Sequence, residues 1–505
     1  MAMESDKTLA PTNQSIPQVL PPGNVSQARR VVDITASFAN TKRVYSSRGS
    51  GPRALLMGAF MGLVFITPNP LWAQARDYDS SHPFGTLREQ ARVQQAWLTE
   101  RLETNLPMLM RKHGVDMWVI AMREYNEDPV FKALVSPTTF AARRRTIYIF
   151  HDRGPDHGVD RLALGGNSQG GVYEAVRATA LAADGRAAEL WGEDQWDLFA
   201  NMVAERNPQR IAVNISHDIN FADGLTAGEW EQMEKALGDD LAERVVRVPL
   251  LALDYLAMRV PAMTPTYRRM QAIVHEIIGT AFSEVIIEPG KTTTEDVVWW
   301  MRQRVHDLGL GSWFQPSVSV QRRGVEMSAS ISPVILRGDI LHCDFGIIAM
   351  GMSTDTQHMA YVLLEGETEA PKGLKGALAN ANRLQDILLK ETRVGRSGYE
   401  ILVSVLNTMH SEGLDGTMYT HPIGDHGHGA GPLIGLWDYQ NGVPGRGDPF
   451  VIPGMWFSTE LQVTTPVPEW DGQRVRMALE EEAEVTLEGE MRWVLRRQTE
   501  LHLIH

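Results

Sequence analysis

Four acidic residues and one histidine in the C-terminal half of the chain combine residue types and spacing suited to metal chemistry. Asp344 and Asp355 lie eleven residues apart in apolar, strand-like runs on either side of a glycine-containing reversal, so a hairpin would bring them together. Glu460 lies in WFSTELQV, Glu480 opens EEEAEV, and His428 lies in GHGAG. An unpaired charge in apolar surroundings costs several kcal/mol. We therefore expect these side chains to share one site.

A cluster of carboxylates is stable only when something neutralises its charge, because like charges repel strongly at short range. Two divalent cations would cancel four carboxylates, and neutral imidazole would complete the coordination. Oxygen and nitrogen donors suit Mn, Fe, Co or Zn, and a pair of bridged metals can hold a hydroxide near neutral pH. Because Cys343 is the only cysteine, thiolate clusters are excluded and a metal must be bound by oxygen and imidazole.

The same residues carry a resemblance to the pita-bread metallohydrolases, which include methionine aminopeptidase, Xaa-Pro aminopeptidase, prolidase and creatinase. RGDILHCDFG resembles the family's GDxxxxDxG strand, and TDTQHMAYVL resembles its SDxTRTxxV strand. IPGMWFSTEL is similar to PGMxFTxEP, and LEEEAEVTLEG to IEDxVLVTxxG. The last match selects Glu480 as the ligand, rather than Glu481 or Glu482. The resemblance covers about residues 265–495.

The resemblance implies a role for each residue of the set. Asp344 would chelate one metal, Asp355 and Glu480 would bridge both, and His428 and Glu460 would complete the second. The cofactors would be two divalent ions, with Mn, Co, Zn and Fe all open. A bridging hydroxide would attack the scissile carbonyl of a short peptide, and Glu460 would carry the proton.

Two positions depart from the family pattern and put peptide hydrolysis in doubt. The peptidases have a second histidine seven residues after the ligand histidine, where this chain has Gly435. The proline-specific members have an arginine two residues before the last glutamate, where this chain has Ala478. Metal binding is therefore better supported than peptide cleavage.

Other histidines offer replacements for the missing donors. His421 and His426 lie in HPIGDHGHG, which resembles a rearranged form of the family's histidine-rich loop, and we expect both to be catalytic. His358 is a further candidate. His426 also competes with His428 as a metal ligand, and the match to Gly-His-Gly-x-Gly favours His428.

The N-terminal segment has the order of a secretory signal peptide. Arg48 and Arg53 precede a fourteen-residue apolar run, 54–67, which is followed by the small-residue site Ala73-Gln74-Ala75. We expect a signal peptide over 44–75, behind a non-native or disordered extension over 1–43, and an exported, periplasmic or secreted protein. A buried core helix and a membrane anchor are the alternatives, although the run is short for spanning a bilayer.

The mature chain divides into two predicted domains. Strand-like runs at 115–122, 145–152 and 210–216 alternate with helical stretches, which favours an α/β domain over 84–255. From 263 to 505, helices precede strands, which is typical of an α+β domain with a bent antiparallel sheet. By the resemblance, these are a creatinase-type N-terminal domain and a pita-bread catalytic domain.

Three functions stay open at this point. The first is an exported dinuclear aminopeptidase or dipeptidase acting on Xaa-Pro peptides. The second is a creatinase-like C–N hydrolase or a lyase of small acids, and the third is a noncatalytic peptide-binding homologue.

The net charge of −14 gives no basic field for nucleic acid. We expect no stable membrane span after leader removal, and the resemblance implies a homodimer.

Overall fold

The computed structural model of the chain describes residues 82–177, 190, 192–326 and 332–505. The predicted extension at 1–43 and the predicted signal peptide at 44–75 lie outside these residues, so both stay predictions. Among the described helices, none has the length and apolar character needed to cross a membrane.

The N-terminal part is built on a six-stranded mixed sheet. Its strands are β1 (Met117–Arg123), β2 (Arg145–Asp152), β3 (Val159–Leu164), β4 (Glu174–Val176), β5 (Ile211–Val213) and β6 (Val245–Arg247). They lie in the order β4-β3-β2-β1-β5-β6, with antiparallel pairing of β1, β2 and β3 and parallel pairing elsewhere. The three strands predicted from the sequence are β1, β2 and β5.

Helices pack on both faces of this sheet. They are α1 (Leu87–Glu100), a π-helical segment (Arg101–Asn105), α2 (Leu106–Lys112), α3 (Phe131–Leu134), α4 (Glu193–Arg206), α5 (Ala227–Ala242) and α6 (Pro249–Ala257). The apolar residues of α4 and α5 share a core with one face, and those of α2 and α6 share a core with the other. The elements α1, the π-helical segment and α2 follow one another without a break from Leu87 to Lys112.

The C-terminal part contains the strands that carry the acidic residues. Its helices are α7 (Thr264–Ala281), α8 (Thr294–Asp307), α9 (Lys372–Glu391) and α10 (Gly398–Ser411). Its strands are β7 (Ser317–Gln321), β8 (Ile340–Phe345), β9 (Ile348–Ala349), β10 (Met352–Ser353), β11 (Thr356–Val362), β12 (Gly416–Pro422), β13 (Trp456–Val467), β14 (Gln473–Leu479), β15 (Glu482–Val485), β16 (Met491–Trp493) and β17 (His502–Ile504).

These strands form two larger sheets and a small hairpin. One sheet has the order β17-β11-β8-β7, and the other has the order β12-β13-β15-β16, with β14 also paired to β13. Every pair in them is antiparallel except β11 with β17. A β-bridge between Gln357 and Glu480 connects the two sheets. The predicted combination of helices with bent, largely antiparallel sheets is confirmed.

Two local details of α8 differ from the sequence pattern. Thr292 and Glu295 have capping-box spacing, but the helix is capped one residue later, by reciprocal hydrogen bonds of Thr293 and Asp296. The Thr292 hydroxyl instead accepts a hydrogen bond from the backbone N–H of Glu288. Trp299, a residue type usually well buried, is 57% exposed, because it lies outside the apolar stripe that faces α7.

The hydrophobic core extends through both parts of the chain. A single cluster of buried residues joins Leu102 of the π-helical segment and Trp118 of β1 to Phe457 of β13 and Leu479 of β14. The boundaries of the predicted domains, 84–255 and 263–505, therefore stay predictions.

Candidate metal centre

The five residues expected to bind metal come together where the two C-terminal sheets meet. Asp344 lies on β8, and Asp355 precedes β11 after the β9–β10 hairpin, as the eleven-residue spacing predicts. Glu460 lies on β13, and Glu480 directly follows β14. His428 lies in the loop after β12. These elements place the side chains together although Asp344 and Glu480 are separated by more than a hundred residues in the sequence.

Strand periodicity explains which acidic residues enter the site. Successive side chains of a strand point to opposite faces of a sheet, so Glu480 and Glu481 point in opposite directions. The Glu480 carboxylate accepts a hydrogen bond from Ser458 Oγ at 2.7 Å, whereas Glu481 bonds to His275 and His358 on the other face. The preference for Glu480 over Glu481 thus has a geometric basis.

The ligand atoms are close enough to share cations. In each of three groups, one ligand atom per residue lies within 4.8 Å of the others. The groups are Asp344, Asp355 and Glu480; Asp355, His421 and His428; and His421, Glu460 and Glu480. They overlap, so together they form one continuous centre that contains all four carboxylates and two imidazoles.

His421 is the histidine held most firmly in the centre. It is fully buried, and its Nδ1 lies 3.0 Å from the carbonyl oxygen of Pro422. A carbonyl only accepts, so Nδ1 carries the proton and Nε2 presents a lone pair. That Nε2 faces Glu480 Oε1 at 3.2 Å and Asp355 Oδ2 at 3.7 Å. Burial lowers the pKa of His421 to about 4, which keeps the imidazole neutral at pH 7.

The lone pair of His421 therefore points at carboxylate oxygens, which is unfavourable unless a cation or a proton lies between them. Asp344 Oδ1 and Asp355 Oδ1 are also buried without a hydrogen-bond partner. Buried polar atoms are nearly always satisfied, and a divalent cation would satisfy all three groups at once. The residues present thus fit a metal bound by oxygen and nitrogen donors.

The electrostatics of the carboxylates show how unstable the cluster is without cations. Burial, followed by repulsion from Glu480, raises the pKa of Glu460 to about 10. Burial and the neighbouring carboxylates also raise the pKa values of Asp355 and Glu480 well above their usual range, and burial raises the pKa of Asp344. Nearby cations would reverse these shifts by stabilising the ionised forms.

The remaining histidines take separate positions. The ring of His428 is exposed and lies 4.8 Å from the ring of His421 and 5.2 Å from that of Trp313. His426 lies beside Phe221 of the N-terminal part, with ring centroids 5.0 Å apart, and belongs to none of the ligand groups among the described residues. The structure brings His421 and His428 into the centre and leaves His426 outside it. The catalytic role expected of His426 stays a prediction.

The two departures from the family pattern have structural consequences. Gly435 has φ of +78°, and a Cβ there would lie 2.5 Å from the carbonyl oxygen of Met418. A histidine at this position would require the backbone to move. Ala478 is buried opposite Gln462, and Arg476 donates to the side chain of that same Gln462 at 3.2 Å.

A second buried cluster lies on the opposite face of the sheet. Glu481 Oε2 bonds to His275 Nε2 at 2.9 Å, and Glu481 Oε1 bonds to His358 Nε2 at 2.8 Å. His502 Nε2 lies 3.0 Å from His358 Nδ1, so neutral imidazoles can satisfy every hydrogen bond of this four-residue network. His358, offered by the sequence as a replacement donor, therefore supports Glu481 rather than the centre.

Sequence reasoning missed one residue of the centre, Gln357. Its side-chain amide donates to Glu460 Oε1 at 2.6 Å and to Glu480 Oε2 at 2.9 Å. The available signal was its position two residues after Asp355, which puts both on one face of a strand. An uncharged amide in an apolar strand has an ordinary packing explanation, which is why it did not stand out.

Sequence comparisons do not assign this chain to a family. A scan against protein-family models found no match. A search of curated proteins likewise found no match.

Structural comparison shows the fold clearly. An X-Pro aminopeptidase from Thermotoga maritima matches with a TM-score of 0.53 and 15% identity, covering 78% of this chain and 99% of that one. Dipeptidase PepE from Mycobacterium ulcerans matches with a TM-score of 0.51 and 14% identity, covering 81% and 98%. The N-terminal domain of FACT complex subunit SPT16 from chickpea, Cicer arietinum, matches with a TM-score of 0.53 and 11% identity. The match covers 82% of this chain and 99% of that one. The chain has the pita-bread fold of these proteins.

Proposed function

We propose that the protein is a metal-dependent hydrolase that removes the first residue from Xaa-Pro peptides. The observation that carries this proposal is the centre of four carboxylates and two histidines, assembled on the sheets of a fold shared with proteins named X-Pro aminopeptidase and dipeptidase. The expectation of two divalent ions follows from its charge. Asp344, Asp355, Glu460, Glu480, His421 and His428 would hold them.

Bound divalent cations would supply Lewis acidity and a source of hydroxide near neutral pH. The protein's own residues would orient the carboxylates and transfer the proton. The carboxylate of Glu460, held at the centre beside Glu480, would carry a proton during the reaction. Ser458 fixes the orientation of Glu480 by a hydrogen bond from its Oγ to Glu480 Oε1.

Aromatic side chains around His428 support an apolar residue as part of the substrate. Tyr419 lies beside the rings of His421, His428 and Trp437, at centroid distances of 5.3, 5.9 and 6.0 Å. Trp313 packs against His428 from another direction. Flat aromatic surfaces beside a polar centre suit a proline ring, whose imide nitrogen offers no hydrogen to donate.

A panel of short peptides tests this proposal. The metal-free protein is loaded separately with Mn²⁺, Co²⁺, Zn²⁺ and Fe²⁺, and the release of the first residue from Xaa-Pro dipeptides and longer peptides is followed by chromatography. Matched Xaa-Ala peptides are the substrate control, and the Asp355→Ala variant is the enzyme control. Metal-dependent release from Xaa-Pro peptides that Asp355→Ala abolishes is the expected result, whereas intact peptides with every metal would reject it.

A second candidate is a pita-bread enzyme with a different reaction, such as a creatinase-like C–N hydrolase or a lyase of small acids. Gly435 and Ala478 favour it, because the described backbone leaves no room for a side chain at the first position and the second lacks the arginine. Turnover of small amidines or carboxylic acids without peptide release would support it. A noncatalytic homologue predicts that neither substrate class is turned over.

The location of the protein is a separate proposal. The basic residues, apolar run and small-residue site over 44–75 support export, with cleavage before Arg76. Expression in a bacterial host followed by N-terminal sequencing of the exported protein tests it. An N-terminus at Arg76 is expected, and a chain that keeps residue 1 and stays inside the cell contradicts export.

The resemblance also supports a homodimer, which sedimentation measurements would test.

A further inference from the structure

Gln357 lies at the junction of the two sheets, inside the candidate metal centre. It is 3% exposed and pairs with Asp344 across β8 and β11. Its backbone N–H donates to the carbonyl of Glu480 at 3.1 Å, and its carbonyl accepts from the N–H of Glu480 at 3.2 Å. Two hydrogen bonds therefore hold the backbone of Gln357 to that of Glu480, so a change in the position of the amide must come from the side chain.

The side-chain amide of Gln357 is directed at the carboxylates. Its Nε2 lies 2.6 Å from Glu460 Oε1, 2.9 Å from Glu480 Oε2 and 3.5 Å from Asp344 Oδ2. Its Oε1 lies 2.9 Å from Nε2 of the buried His342. The amide nitrogen only donates and the amide oxygen only accepts, so the NH₂ group donates to the carboxyl oxygens of Glu460 and Glu480, and His342 donates to the amide oxygen.

The amide thus bonds to carboxylates that a second cation would need. Two of the three ligand groups include Glu480, whose Oε2 is bonded to Gln357, and one of these also includes Glu460. The third group, Asp355, His421 and His428, contains no atom bonded to Gln357. Asp344 Oδ1 and Asp355 Oδ1 also have no hydrogen-bond partner. The centre is divided into oxygens that are free and oxygens that the amide occupies.

We propose that the Gln357 amide is an internal competitor for the second metal ion, so that the two ions bind in sequence and with different affinities. The first ion binds the donors that the amide leaves free, around Asp355 and His421. The second binds only when the amide turns away from Glu460 and Glu480. The inference rests on the metal dependence of the proposed function, but not on its substrate.

Turning the amide away breaks its two hydrogen bonds to Glu460 and Glu480, and the free energy lost with them weakens the second binding step measurably. Removing the amide also removes donors that screen the carboxylates from one another, which strengthens cation binding further. A residue that only packs the core would affect stability and leave the ratio between the two metal affinities unchanged. The ratio therefore distinguishes competition from packing.

Calorimetric titration of the metal-free protein with Mn²⁺ tests this inference. Wild type is expected to bind two ions in steps that differ at least about tenfold in affinity. The Gln357→Ala variant is expected to strengthen the weaker step by about tenfold or more and to change the stronger step by less than about threefold. The matched control is Gln271→Ala, which removes a buried amide bonded to Thr356 and Glu481 on the opposite face and should leave both steps unchanged.

Electron paramagnetic resonance of wild type gives a readout that needs no variant. The first equivalent of Mn²⁺ is expected to give the spectrum of isolated ions, and only the second should give the spectrum of coupled pairs. Coupled pairs from the first equivalent, or two steps of equal affinity, would overturn the competition. Absence of any bound metal would overturn both this inference and the proposed function, whereas stepwise binding without Xaa-Pro cleavage would overturn only the function.

Discussion

At the scale of single residues, the centre depends on which histidine presents a lone pair to the carboxylates. His421 does so because its Nδ1 is bonded to the Pro422 carbonyl. A bond from the second ring nitrogen to a carbonyl is the usual way in which proteins orient a metal-binding imidazole. His426, only five residues further along the chain, lies beside Phe221 and has no such arrangement.

The variant His421→Ala is therefore expected to weaken Mn²⁺ binding by at least about 100-fold, since loss of outer-shell partners alone costs about 10- to 100-fold. The matched variant His426→Ala should change Mn²⁺ affinity by less than about threefold. Calorimetric titration of both metal-free variants measures the difference. Equal losses in the two variants would contradict the placement of His421 in the centre.

The raised carboxylate pKa values predict that metal affinity depends on pH. Glu460, with a pKa raised from 4.5 to about 10, is protonated at neutral pH in the metal-free protein, and a cation must displace that proton. His421, with a pKa near 4, stays neutral and does not oppose this trend. Mn²⁺ affinity should rise between about pH 5 and pH 9, with proton release. Titrations in buffers of different ionisation enthalpy measure that release, and an affinity independent of pH would contradict it.

At the scale of elements, much of the arrangement could be predicted from the sequence. The Asp344 to Asp355 spacing predicts the hairpin because the two strands are neighbours in the chain. The pairing of β12 with β13, which places His421 opposite Ser458, depends on register between distant segments and has no local signal. For the same reason the sequence did not separate His421 from His426, it kept His358 as a further candidate, and it missed Gln357.

Gly435 gives a prediction that belongs to the strand and loop geometry around β12. Gly435→Ala combines a positive φ with a Cβ only 2.5 Å from the Met418 carbonyl oxygen, and should lower the free energy of unfolding by about 2 to 4 kcal/mol. Gly472 has φ of +79° and nothing within 4 Å of its Cβ, so Gly472→Ala should cost only about 1 kcal/mol. Urea denaturation compares them, and equal costs would show that the Met418 contact is unimportant.

At the scale of the whole molecule, the centre connects metal binding to stability. The carboxylates lie on β8 and β13, directly before β11 and directly after β14, so their repulsion acts on both C-terminal sheets at once. These sheets share a core with the N-terminal part. Cations that remove the repulsion should therefore stabilise the described fold as a unit.

The metal-free protein should become less stable as pH rises. A carboxyl group whose pKa is raised by folding adds stability below its unfolded pKa, and this is lost as pH rises toward its folded pKa. For Glu460 this loss of stability falls between about pH 4.5 and pH 10, the unfolded and folded pKa values. Thermal unfolding with and without Mn²⁺ should show a gain in Tm on metal addition that grows between about pH 5 and pH 9. A gain that shrinks with rising pH has the opposite sign and would rule out this linkage.

The central claim is that this centre binds divalent metal and uses it to cleave Xaa-Pro peptides. The most direct measurement pairs metal content with the initial rate of first-residue release, in wild type and Asp355→Ala, after reconstitution with Mn²⁺. Wild type is predicted to retain bound metal and to release the first residue, and Asp355→Ala to lose both while keeping its circular dichroism spectrum. An Asp355→Ala variant that cleaves at the wild-type rate, or a metal-loaded wild type that cleaves no Xaa-Pro peptide, would contradict the claim.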